Sequence, residues 1–254
     1  MTEADSITVA SWALMATGLA TFGILWRVAA PYGRFLREGW GPTLSSRRGW
    51  MLMESPSAIG FLVVYLLGRQ RLETVPLVLL AIWQAHYLHR AFVFPMRIRE
   101  RGKRMPWAIV AMGFVFNGVN AWLNAKWISD AGQYDSAWLS DPRFAAGVAL
   151  FAAGYAINQH ADAVLLALRP SMGSGGGYRI PFGGLYRWVS CPNYLGEILE
   201  WGGWALATWS WPGLAFAVFT FTNLAPRALS THRWYRQTFT DYPPERKALV
   251  PFVL

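Results

Sequence analysis

The 254-residue chain holds a single cysteine, Cys191. That excludes an intrachain disulfide and any zinc site built on several thiolates. Charge is scarce as well: Asp, Glu, Lys and Arg make up 15% of residues, against roughly 25% in an ordinary soluble domain. The opening residues MTEADS contain Glu3 and Asp5 but no Lys or Arg. A secretory signal has a basic leader, so the first apolar stretch reads as a retained helix. The final PFVL has no cysteine for prenylation. Motifs are missing too. There is no HExxH, no nucleophile elbow, no P-loop lysine and no G-x-G-x-x-G after a strand. Metalloprotease, serine-hydrolase and phosphate-loop chemistry are therefore poor descriptions of this chain.

What the sequence has in abundance is apolar surface. Hydrophobic residues make up 54% of it, with 15 Trp among them, a composition suited to a bilayer with aromatic belts at its edges. A helix needs about 20 apolar residues to cross the hydrocarbon core. Seven stretches qualify, at 7–29, 50–68, 75–96, 107–125, 143–168, 194–210 and 212–229. The sixth is interrupted by Glu197 and Glu200, and a Trp-Ser-Trp-Pro turn at 209–212 joins it to the seventh. With the N-terminus outside, 18 of the 23 basic residues fall in inside segments. The positive-inside bias thus predicts seven crossings and a cytoplasmic C-terminus. The net charge of +9 then reports loop topology rather than nucleic-acid binding. No internal repeat or low-complexity linker divides the chain. The expectation is an all-α polytopic protein, a single integral membrane domain over 1–254.

Polar residues inside such spans are functional candidates by default, since each is costly in lipid. Glu54 heads an apolar run, MLMESPSAIGFLVVYLL. AHYLHRAFVF gathers His86, Tyr87, His89 and Arg90; the i,i+4 spacing puts His86 and Arg90 on one face. Spacings of 4 and 7 align Asn158, Asp162 and Arg169, and likewise Asn193, Glu197 and Glu200. His232, Tyr235 and Arg236 follow at helical spacing, and Arg246 lies in the tail. His160 falls off its stripe and reads as a bystander. Any one of these residues is compatible with a structural ion pair. The whole set suits a ligand with phosphates and sugars at the cytoplasmic face, with Arg and His for phosphates and Asn, Asp and Glu for hydroxyls. The glycines of MGSGGGYRIPFGG (172–184) read as a loop that lets Tyr178 and Arg179 reposition.

These residues resemble a known family. YRIPFGGLYRWVSCPNYLGEILEWGGWALATWSWPGLAFA (178–217) and HRWYRQTFTDYPPERKALVPFVL (232–254) are similar to the C-terminal half of the steroid 5α-reductases; HYLHRAFVFP (86–95) and the Glu54 segment resemble their catalytic helices. The C-terminal motifs are shared with related membrane reductases and with isoprenylcysteine carboxyl methyltransferases. Pairing Glu54 with Tyr87 narrows the choice. The resemblance implies an NADPH-dependent oxidoreductase that reduces the 4,5 double bond of a 3-oxo-Δ4 steroid. Glu54 and Tyr87 would be catalytic. Met53, Glu54, Tyr87 and Arg90 would bind substrate. Asn158, Asp162, Arg169, Tyr178, Arg179, Asn193, Glu197, Glu200, His232, Tyr235 and Arg246 would bind NADPH. No metal is implied, no nucleic acid and no obligatory protein partner. The partners expected are a steroid-like lipid and the membrane itself, the inner membrane of a bacterium or the endoplasmic reticulum of a eukaryote. Two departures stand out. Met53 occupies a position where the family pattern has Gln, and the basic loop 97–106 is slightly longer, so its arginines carry no individual assignment. The alternatives are a reductase of another lipid enone, enoyl or polyprenol substrate, a methyltransferase using S-adenosylmethionine, and a non-enzymatic lipid-binding protein or transporter.

Overall fold

The computed structural model describes residues 2–31, 33–98, 104–168 and 178–254. Seven long helical rods run through them: α1 Glu3–Arg27, α2 Ser46–Leu66, α3 Thr74–Arg97, α4 Trp107–Ala131, α5 Pro142–Leu168, α6 Pro192–Thr208 and α7 Trp211–Thr238. Four of them, α1 to α4, are long and apolar enough by length and composition to cross a membrane. Their outer faces leave Val9, Trp12, Leu19, Leu62, Val63, Phe114 and Val115 exposed, which fits an integral membrane protein. A short antiparallel pair, β1 (Thr43–Ser45) and β2 (Arg104–Pro106), registers Leu44 opposite Met105 and ties the starts of α2 and α4 together.

The ends of the helices follow local rules. Thr2 caps α1 and Asp5 reaches back to the Thr2 amide, a reciprocal capping box. Trp209 sits in the left-handed region, at φ 44, and Ser210 then accepts from the Gly213 amide to start α7. The chain thereby reverses between α6 and α7 in very few residues.

Three rods contain a wider π turn, at Pro56–Gly60 in α2, at His89–Val93 in α3 and at Trp127–Ala131 at the end of α4. Such turns leave carbonyls without their regular partners and are frequent at functional sites. Pro56 has no N–H to give the Leu52 carbonyl, and the Ser55 hydroxyl lies 3.0 Å from it. The Ser57 carbonyl accepts from Trp83 Nε1 at 2.7 Å and the Ala58 carbonyl from Gln84 Nε2 at 2.9 Å. The distorted part of α2 is thus stitched to α3 by side chains.

The closest helix pair is α5 with α6, antiparallel and built on glycines seven residues apart on each rod. A Cβ on Gly154 would collide with the Glu200 amide and the Gly196 carbonyl; one on Gly203 would meet Phe151 and Gly147 backbone. Small residues permit this backbone contact. It sets the Asn158 and Asp162 face of α5 directly against the Asn193–Glu200 face of α6. Beside it lies an aromatic core of Phe61, Trp83, Tyr87, Trp201, Trp204 and Phe216, with Trp201 and Phe216 centroids 4.2 Å apart.

Candidate functional site

Glu54 is buried on α2 immediately before the π turn. Its carboxyl faces α4, where Asn117 Nδ2 lies 3.4 Å from Oε2. The same nitrogen donates to the Met53 carbonyl at 2.8 Å, and Ser57 Oγ donates to Asn117 Oδ1 at 2.7 Å. Tyr87 is buried on α3, its ring between Trp83 (4.8 Å) and Trp201 (5.5 Å). It stands beside the Ser57 side chain and within electrostatic reach of Glu54. Among the described residues no direct hydrogen bond joins Glu54 to Tyr87; Asn117 and Ser57 lie between them. Met53 packs its side chain over Gly113, where any Cβ would strike it.

A polar column continues from this point toward the loops at the start of α6. Arg90 Nη1 lies 3.3 Å from Asp162 Oδ2 and Nη2 lies 3.8 Å from Glu197 Oε2, with the guanidinium over the Trp50 and Phe94 rings. Asn193 Nδ2 donates to Asp162 Oδ1 at 3.4 Å, and Asn158 Nδ2 to the Asn193 carbonyl at 3.0 Å. Glu200 is fully buried and pairs with His86 Nδ1 at 2.6 Å. The carboxylates that interrupt α6 thus find cationic or imidazole company on α3. Glu54, Tyr87, Arg90, Asn158, Asp162, Asn193, Glu197 and Glu200 gather in one region.

Of the other expected residues, Tyr178, Tyr235 and, through Ser190, His232 belong to a second group. Asn193, Tyr178 and Tyr235 line a cavity of about 200 Å³ together with Arg34, Ser190, Cys191 and Arg227. Arg34 lies over the rings of Trp234 (4.5 Å), Tyr235 (4.7 Å) and Tyr178 (5.3 Å). Burial opposes its charge, yet the adjoining Tyr235 hydroxyl leaves its pKa above the ordinary value. His232 Nδ1 is 2.6 Å from Ser190 Oγ, which also meets the Tyr242 hydroxyl at 2.6 Å. Arg246 stands apart from the cavity. It donates to the Pro181 carbonyl at 3.0 Å and lines a separate groove of about 830 Å³ with His160 and Phe182. Arg179 is exposed. Arg169 lies outside the described residues, as do Arg99, Arg101, Lys103 and the glycines of 172–177.

The donor set suits a phosphate-bearing nucleotide. Two guanidiniums line the cavity, and among the described residues Arg34 Nη1 is buried with no hydrogen-bond partner, a charge-assisted donor of the kind phosphates take. Aromatic faces and the Asn193 amide complete it. Sequence reasoning missed Arg34, Asn117, Ser57 and Ser190. A signal for Asn117 was present: Asn117, Asn120 and Asn124 repeat at helical spacing in an otherwise apolar rod.

With this geometry in place, comparison with known proteins is decisive. The family profile described as 3-oxo-5-alpha-steroid 4-dehydrogenase matches residues 103–254. The chain belongs to this family. Steroid 5-alpha-reductase DET2 of Solanum lycopersicum is 41% identical over 247 residues, covering 94% of each chain. The 3-oxo-5-alpha-steroid 4-dehydrogenase 1 of Bos taurus is 42% identical over 94% of this chain and 93% of its own. The Homo sapiens protein of that name is 38% identical over 94% and 92%. As a member of the 3-oxo-5-alpha-steroid 4-dehydrogenase family the chain is an oxidoreductase, and its apolar helices agree with a membrane-bound enzyme.

Proposed function

We propose that this protein reduces the 4,5 double bond of 3-oxo-Δ4 steroids with NADPH, giving 5α-dihydrosteroids. The observation that supports the reading best is the burial of Glu54 and Tyr87 together, at the end of a polar column leading through Arg90 and Asp162 to Asn193 and the Arg34 cavity. A ketone held at one end and a nucleotide at the other would bring their reacting carbons together within a dry helix bundle.

An enone accepts hydride at its β-carbon only as far as its oxygen can take up charge. Tyr87, a phenol protonated at neutral pH, donates to that oxygen, and Glu54 supports it from α2. One good preorganised donor of this kind lowers the barrier by about 3–4 kcal/mol. NADPH, when bound, supplies the hydride to C5. The electron pair of the C4–C5 bond passes to the oxygen as an enolate. On collapse C4 takes a proton, from Tyr87 or from water, so that one hydride and one proton are added across the bond. The aromatic wall of Trp83, Trp201 and Phe216 excludes bulk water.

NADPH would be held by Asn158, Asp162, Arg169, Tyr178, Arg179, Asn193, Glu197, Glu200, His232, Tyr235 and Arg246, with Arg34 added from the cavity. Arg34 and the arginines would take phosphates, the amides and carboxylates hydroxyls. The substrate end comprises Met53, Glu54, Tyr87 and Arg90. All seven rods would span the bilayer, with the N-terminus outside and the C-terminus cytoplasmic, so that the steroid enters from lipid and the nucleotide from the basic face. The test is purified protein in detergent with NADPH and a panel of Δ4-3-ketosteroids. The reading expects NADPH oxidation matched one for one by 5α-dihydro product. Oxidation with enoyl or polyprenol lipids alone, or thermal protection by S-adenosylmethionine and not by NADPH, would overturn it.

A further inference from the structure

We propose that Asn117 on α4 is a positioning residue for the reaction, aiming the Glu54 carboxyl from α4 and anchoring it together with Ser57 on α2. The proposal rests on the reading of Glu54 and Tyr87 given above. It starts from the hydrogen-bond inventory of one amide. An Asn side chain carries two N–H donors on one atom and one acceptor oxygen. The Met53 carbonyl can only accept, and Asn117 Nδ2 lies 2.8 Å from it, which fixes which end of the amide is nitrogen. The second N–H is then directed at Glu54 Oε2, 3.4 Å away. The oxygen end takes the Ser57 hydroxyl at 2.7 Å. All three contacts fall on α2, at residues 53, 54 and 57, astride the start of its π turn.

A serine has one hydroxyl proton, and Ser57 spends it on Asn117. Its lone pairs are left for a donor, and Tyr87 stands beside it. Asn117 and Ser57 are both sealed from solvent, at 5% and 0% exposure, so water does not substitute for either contact. Asn117 acts through Glu54 and Ser57.

The experiment uses full-length Asn117→Asp and Asn117→Leu, each alone and combined with Glu54→Gln, assayed with NADPH and a 3-oxo-Δ4 steroid. Asn117→Asp keeps shape and the acceptor for Ser57 but turns an oxygen toward Glu54. Each single variant is expected to lose kcat roughly 10- to 100-fold, the scale of a misplaced catalytic group, with KM for NADPH unchanged. In the Glu54→Gln background the same substitutions should add little, because both changes remove one unit. Asn117→Asp carries the test if Asn117→Leu does not fold. Wild-type kcat in the Asn117 variants beside an impaired Glu54→Gln overturns the positioning role, as does a full multiplicative loss in the double variants. If Glu54→Gln itself turns over at the wild-type rate, the catalytic reading of Glu54 is what has failed, and the proposal falls with it.

Discussion

His86 Nδ1 and Glu200 Oε1 stand 2.6 Å apart, and both side chains are shut off from solvent. The contact joins α3 to α6 one residue away from Tyr87 and one from Trp201, which stack on each other. Removing one member of a buried pair leaves the other polar group stranded, which typically costs about 3–5 kcal/mol. Glu200→Ala and His86→Ala are therefore expected to destabilise the protein by about that amount in chemical denaturation in detergent. Replacing both with Leu should recover part of the loss. Equal stability of the single variants and the wild type would show that the pair does not hold α3 to α6.

The α5–α6 contact depends on missing side chains. Gly196 has no room for a Cβ, which would lie 2.6 Å from the Asn158 amide nitrogen. Gly196→Val must therefore push α6 away from α5. Overpacking of this kind costs about 1–3 kcal/mol, and here it also parts Asn158 from the Asn193 carbonyl. The expected result is a lower unfolding temperature and a raised KM for NADPH together. Gly202, with nothing within 4 Å of its Cβ position, provides the control: Gly202→Ala should change neither.

Substitution at Arg34 would test nucleotide binding apart from steroid chemistry. Arg34→Met keeps the long stem over the Trp234 and Tyr235 rings and removes the charge. A hydrogen bond to a charged group contributes about 1.5–3 kcal/mol, so KM for NADPH should rise roughly 10- to 100-fold while KM for steroid stays put. Loss of steroid affinity with unchanged NADPH affinity would move the nucleotide away from this cavity.

Cys191 offers a chemical probe of the same place. Burial pushes its thiol up to about 12, which leaves on the order of a thousandth of the thiolate an ordinary cysteine carries near neutral pH. Native protein should resist maleimide at pH 7 and label rapidly once unfolded. Rapid native labelling would mean that the cavity is open to solvent.

The rods and the polar stripes were readable because each depends on spacing within one segment. Glu54, the His86–Arg90 cluster, and the 4-and-7 patterns of α5 and α6 all stand out against apolar surroundings. What sequence reading lacked was how rods meet. The Asn117 face of α4 reaches Glu54 only because α2 and α4 start from a shared β pair. Arg246 parts from Tyr235 because the tail pairs with 188–191, the Ser190 amide donating to the Lys247 carbonyl at 2.9 Å, and this carries Arg246 to the Pro181 side. Arg34 sits in a short turn at Gly33–Phe35, where no periodicity marks it. Long-range packing of this sort leaves no local trace in composition or period.

The central claim is that Glu54 and Tyr87 act together on a steroid ketone. Its most direct test is single-turnover reduction of a 3-oxo-Δ4 steroid by enzyme saturated with NADPH, comparing the wild type with Glu54→Gln and Tyr87→Phe. The account predicts 5α-dihydro product from the wild type and a loss of at least about 100-fold in the rate for each variant, with NADPH binding retained. Reduction at the wild-type rate by either variant would contradict it.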